Sequence, residues 1–147
     1  LKQPIDIEKA LTMAIIHDLV EAKTGDTPVF DVNTPSEKAT KQAQEQAAMR
    51  DIATLIGEPT GSHLAQLWNE FEDRQTFEAR LIFALDKLEC KIQHNEADLS
   101  TWNDKERALS FDWENTLYDC DPFILSLKDF IKETSEQKVQ SLADITE

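Results

Sequence analysis

Residues 6–26 read DIEKALTMAIIHDLVEAKTGD, and the way this stretch folds decides how the rest is arranged. Ile7, Leu11, Ala14, Ile15 and Ala22 recur at three- and four-residue steps, the spacing of one helix face. Met13, Ile16 and Val20 fall on the other side. The spacing therefore predicts a single helix from near Asp6 to near Thr24, apolar nearly all round and central in the fold. Asp6 is placed to cap its start and Gly25 to end it. In such a helix Asp18 interrupts the apolar stripe, Glu21 shares its face and His17 lies on its flank. A buried carboxylate with no compensation costs several kcal/mol, comparable with the net stability of a domain. A divalent cation compensates it compactly, with His17 as nitrogen ligand and Asp18 as oxygen ligand. A lone His on a buried helix is more often a satisfied core group. Three ionisable groups within five residues, with a turn following at once, tip the balance toward a site.

Outward from this stretch, the 147 residues suit one domain, with 40% apolar and 30% charged residues and only three glycines. That composition points to a soluble, mostly helical protein. The net charge of −14 disfavours nucleic-acid polymers and anionic membranes as partners. A small phosphorylated substrate remains compatible, because a bound metal and a few placed cations override the global field locally. Cys90 and Cys120 form no pairing framework and fit a reducing cytoplasm. No signal peptide, long apolar run or repeat is visible.

After a turn at Gly25–Pro28 and a loop to Asn33, Thr34-Pro35-Ser36-Glu37 reads as a capping box with Pro at the first helical position. The helix it opens is solvated in its first half and core at Ile52, Leu55 and Ile56, and Gly57 closes it. Glu58–Gly61 reads as a turn. Ser62 is placed to cap a short helix with Leu64, Leu67, Trp68 and Phe71 at core spacing, and Glu70, Glu72, Asp73 and Arg74 on a solvated face. Thr76 caps a helix reaching about Ala97. One of its faces carries Phe77, Leu81, Leu85, Leu88 and Ile92; the other carries Ala79, Ile82, Phe83 and Cys90, with Asp86 among them. Two carboxylates on two buried helices predict that Asp18 and Asp86 share a partner. A loop from Asp98 folds Trp102 onto the core. A helix is expected over about Asp104–Tyr118. A last helix starts at Asp121-Pro122, with Phe123, Ile124, Leu127, Phe130 and Ile131 on one face, and residues 134–147 read as an extended tail. No strand pattern survives, so the fold class is all-α.

HDLVEAKTGD at 17–26, with TFEARLIFALDKLE at 76–89, resembles the HD-domain metal-dependent phosphohydrolases, and within them the 5'-deoxynucleotidase branch. The resemblance spans roughly residues 5–105. It departs from the alarmone-hydrolase branch, which places Glu-Asp where this chain has Glu21-Ala22. It implies an HD-type helical bundle in one domain, with metal ligands at His17, Asp18 and Asp86. It implies a catalytic carboxyl at Glu21 in proton transfer, and Asp26 placing water or substrate. The cofactor implied is a divalent ion such as manganese or cobalt, the substrate a (deoxy)nucleoside 5'-monophosphate, and the assembly a homodimer. The family also carries a metal-binding His in an upstream Glu-His-Ser segment, which would fall before Leu1. The chain is thus expected to lack that ligand and an early core helix. His63, expected to face solvent, does not match that position, and His94, two turns past Asp86, is a lesser candidate. Lys23, Arg80 and Lys87 are possible phosphate cations that read more simply as solvated side chains. Two rival readings stay open: an HD-fold scaffold or dimerisation module whose site has decayed, and hydrolysis of a nucleoside triphosphate or cyclic nucleotide.

Overall fold

The computed structural model describes residues 1–26, 34–103, 107–108 and 113–143, with side chains up to 140. Among these residues there is no strand, in agreement with an all-α fold. The helices are α1 (Ile7–Ile16), α2 (Glu21–Thr24), α3 (Pro35–Ile56), α4 (Thr60–Asp73), α5 (Phe77–Glu96) and α6 (Pro122–Ala143). Single 3-10 turns cover Leu99–Thr101 and Asn115–Leu117. The chain forms two compact units. One is Asp6–Ala79; the other is Leu1–Ile5 together with Arg80–Glu147.

In the unit Asp6–Ala79, Asp6 caps α1 as expected, its carboxylate accepting from Lys9 N. The helix does not run through to Thr24. It ends at Ile16, His17–Val20 form turns, and a single helical turn, α2, follows and stops at Gly25. The covered side is also the opposite of the expected one. Ala10, Met13, Ile16 and Val20 are buried, whereas Ile7, Leu11 and Ala22 are exposed and Ile15 is 78% exposed. Helical spacing says which residues share a face but not which face another element covers. Here α4 packs on α1.

The capping box of α3 forms in full: Thr34 Oγ1 accepts from Glu37 N and the Glu37 carboxylate accepts from Thr34 N. Gly57 ends the helix with φ +82°, a conformation L side chains rarely adopt. The core contribution of α3 is Ala48 and Met49 rather than its last turn, where Leu55 is 88% exposed. The next helix starts earlier than a Ser62 cap implies, at Thr60, with only Glu58 and Pro59 in the turn before it. Gly61 is required there by close approach. A Cβ on it would fall well inside contact of the Ala53 carbonyl on α3. Leu67, Trp68 and Phe71 are buried as their spacing predicts. Glu70 and Glu72 are half-buried rather than solvated.

Helix α5 begins behind Thr76, whose hydroxyl accepts from Ala79 N. Ala79, Leu81, Ile82, Ala84 and Leu88 are its buried residues, while Leu85, Cys90 and Ile92 are exposed. In the unit containing Arg80–Glu147, Trp102 is buried and its Nε1 donates to the His94 carbonyl, fixing the loop after α5. Of the helix expected over Asp104–Tyr118, residues 104–106 and 109–112 lie outside the described residues. Arg107 and Ala108 are helical, but Trp113 and Glu114 are not, so a continuous helix to Tyr118 does not form. The loop 27–33 likewise lies outside them. The last helix starts at Pro122 as expected but buries Ile124 and Ile131, leaving Phe123 and Phe130 exposed. It continues to Ala143, well past the expected start of the tail, with Ser135 buried and donating to Asn95 Oδ1. Among the described residues, no helix is long and apolar enough to cross a membrane.

Candidate metal centre

The turn that interrupts the first helix is what presents the His-Asp pair. Trp68 on α4, itself buried, donates its indole N–H to the His17 carbonyl at 3.1 Å. The Phe71 ring packs against the imidazole, centroids 5.3 Å apart. Both aromatics read from sequence as plain core. Their second task, holding the turn, is a tertiary contact that spacing along the chain does not reveal.

His17 is oriented through one ring nitrogen and faces a carboxylate with the other. Nδ1 lies 2.9 Å from the Ala14 carbonyl. A carbonyl only accepts, so this bond puts the proton on Nδ1 and makes Nε2, which is buried, the acceptor nitrogen. Nε2 lies 3.1 Å from Asp18 Oδ2. With Nδ1 protonated, these two atoms are both acceptors, and such a contact needs a cation or a second ring proton to be favourable. A backbone-oriented imidazole beside a carboxylate is also the arrangement by which proteins fix metal-ligating histidines. The residues present therefore fit a divalent cation.

The reason first given for that cation does not survive. Asp18 is 63% exposed at its side chain, so desolvation does not force a counter-ion upon it, whereas His17 is only 17% exposed. What identifies the pair is the orientation of the ring, not burial of the carboxylate.

Glu21 opens α2 and is half-buried. Burial first, then the nearby Asp18 and Asp26 carboxylates, push its carboxyl above the usual range, and Lys41 pulls the other way. Asp26, beyond Gly25, is exposed. Asp86 lies on α5, half-covered rather than fully buried, and its neighbour Lys87 reaches its Oδ2 at 2.9 Å. His17, Asp18, Glu21 and Asp26 belong to the unit Asp6–Ala79, and Asp86 to the other. His63 is exposed, as expected. His94 packs on the Trp102 ring at 5.5 Å, a structural setting. Each of the three weighed cations has a carboxylate partner: Lys23 pairs with Asp51, Arg80 with Asp119 and Lys87 with Asp86. Sequence reasoning missed the half-buried Lys41 on α3, whose charge opposes the upward shift of Glu21. Lys41 lies in a stretch that otherwise reads as solvated surface, and no spacing rule marks it out.

Comparison with known proteins agrees with the motif reading. A family model described as HD domain matches residues 1–121. The 5'-deoxynucleotidase HDDC2 of Dictyostelium discoideum is 39% identical over 92 residues, 63% of this chain and 47% of that protein. Its counterpart in Danio rerio is 34% identical over 93 residues, covering 63% and 44%. That of Mus musculus is 33% identical over 89 residues, covering 60% and 43%. The matched stretch spans less than half the length of these relatives. On the family match, which takes in His17, Asp18 and Asp86 alike, the chain belongs to the HD domain family.

Proposed function

We propose that this chain is a divalent-metal-dependent phosphomonoesterase that hydrolyses (deoxy)nucleoside 5'-monophosphates to nucleoside and phosphate. The observation that carries the reading is the His17 ring, oriented through Nδ1 by Ala14 and turned through Nε2 toward Asp18. His17, Asp18 and Asp86 each offer one ligand atom of the kind a divalent ion takes, and together they would hold it. Bound there, a manganese, cobalt or similar ion supplies Lewis acidity toward the phosphate and the attacking water.

The remaining work falls to the chain's own side chains. Glu21, raised above the ordinary carboxylate range, keeps a proton available to the leaving 5'-oxygen at milder pH than a solvated Glu. Asp26, one residue past the glycine that ends α2, accepts hydrogen bonds from water or from the sugar hydroxyl. The relatives' name, 5'-deoxynucleotidase, supplies the substrate class. A homodimer and a cytoplasmic setting belong to the same reading, the latter consistent with free Cys90 and Cys120.

Phosphate release from dAMP in the presence of manganese or cobalt tests it. The wild-type chain turns over, and Asp18→Ala and Asp86→Ala each abolish turnover. Turnover that persists in both variants contradicts the assignment. The exposure of Asp18 favours one rival, an HD-fold scaffold that needs no ion there. That rival predicts no phosphate release from any nucleotide in a panel including triphosphates and cyclic nucleotides.

A further inference from the structure

Lys9 is a charged residue on the covered side of α1. It stands one turn before buried Met13 and two before buried Ile16, on a helix that exposes Ile7, Leu11 and Ile15 instead. Two carboxylates from two other helices compensate its ammonium. Lys9 Nζ pairs with Glu70 Oε1 on α4 and lies 3.4 Å from Glu78 Oε2 in the first turn of α5. The three side chains are only 24%, 28% and 14% exposed. Each carboxylate has a second tie. Glu70 Oε1 accepts from the Thr76 hydroxyl at 2.6 Å, and Glu78 Oε1 accepts from the N–H of Asp6, the cap of α1, at 3.1 Å. Isolated ion pairs on an open surface contribute little, whereas a half-covered, multiply bonded network holds its members in one geometry.

Glu70 and Glu78 flank the turn between α4 and α5. Arg74 in that turn has φ +51°, a left-handed conformation costly for a residue with a Cβ. Lys9 thus ties both arms of the turn to α1, all within the unit Asp6–Ala79. The α4 arm bears on the His-Asp pair. Trp68, two residues before Glu70, donates to the His17 carbonyl, and Phe71, the residue after it, packs on the His17 ring. Lys9 and His17 are eight residues apart, about 12 Å at helical rise. A helix fixed at two such separated points cannot pivot about either one. Released at Lys9, α4 turns on its contacts with His17 and carries Trp68 and Phe71 with it.

We propose that Lys9 is a positioning residue: by bridging Glu70 and Glu78 it locks α4 against α1, so that Trp68 and Phe71 hold His17 with Nε2 as its acceptor nitrogen. Its ammonium is taken up by carboxylates, so it acts through α4 and not as a ligand of ion or substrate. The consequence for metal binding rests on His17 being a ligand, as proposed above; the effect on the ring does not.

The test compares Lys9→Met and Lys9→Arg in the intact chain. In metal-free protein, at a pH where the ring is neutral, imidazole nitrogen resonances report which His17 nitrogen carries the proton. Wild type and K9R show it on Nδ1, and K9M shifts toward the mixed tautomers of a loosely held ring. K9M weakens manganese binding by about tenfold, and K9R stays within about threefold of wild type. A K9M chain that loses stability but keeps wild-type His17 resonances and manganese affinity shows a merely structural ion pair and overturns the proposal. So does a K9R chain that behaves as K9M. Should K9M lose the helical circular dichroism of wild type, Glu70→Ala, which leaves Lys9 paired with Glu78, answers in its place. It moves the same His17 resonances, and unchanged resonances in E70A overturn the proposal. Should the wild-type chain bind no manganese, the metal reading fails by itself, and the His17 resonances alone decide the role of Lys9.

Discussion

His17 shows how much of a site can rest on one imidazole with a fixed tautomer. The Ala14 carbonyl accepts from Nδ1, so Nε2 and Asp18 Oδ2 face each other as acceptors, a contact that a cation or a second ring proton relieves. The motif and the residue types were legible in HDLVEAKTGD. The reason for them was not, because the expected buried Asp18 is in fact open to solvent. Glu21 carries the clearest prediction at this scale. Glu21→Gln keeps the shape and hydrogen-bonding capacity of the side chain but cannot deliver the proton. It lowers kcat on dAMP by about a hundredfold to ten-thousandfold and leaves manganese affinity unchanged. A rate within threefold of wild type removes Glu21 from the mechanism.

Among the elements, α4 positions the site, although its sequence announces only a core helix. The buried Trp68 indole bonds the His17 carbonyl, which stabilises the turn between α1 and α2. Trp68→Phe keeps most of the packing and removes the donor. It lowers stability in urea by about 1–3 kcal/mol and weakens manganese binding, because the turn that presents His17 loosens. An unchanged midpoint and unchanged affinity would show that the bond does not hold the turn. Local signals were read correctly where they are local: the Thr34–Glu37 box, Gly57 as a stop, Asp6 and Thr76 as caps. The break at Ile16 has no glycine or proline to mark it, since a residue fifty-one positions away makes the bond that stabilises it. The burial of α1 and α6 failed for a related reason. Ile7, Leu11, Ile15, Phe123 and Phe130 have helical spacing but no neighbour among the described residues that buries them.

For the molecule as a whole, the charge of −14 sets the background against which each ion pair acts. One tie joins the start of the chain to the residue before its last helix. Buried Asp121, at the head of α6, accepts from Lys2 N at 2.7 Å and from Phe123 N at 2.8 Å. The Lys2 and Phe123 amides hold its carboxyl below the usual range. A group whose pKa is lowered on folding stabilises the protein above its unfolded value, near 3.9. That contribution is lost as pH falls through the folded value. Wild type is therefore more stable than Asp121→Asn at neutral pH, and thermal melts show the gap closing in strong acid. A gap that stays constant down to strong acid contradicts this assignment. The central proposal is that His17, Asp18 and Asp86 hold one ion. Titration with manganese followed by electron paramagnetic resonance tests it directly. One ion binds per chain, and His17→Ala, Asp18→Ala and Asp86→Ala each weaken binding by at least about tenfold. Wild-type affinity in Asp86→Ala, with binding lost in the other two, would show that Asp86 is not a ligand and contradict the account.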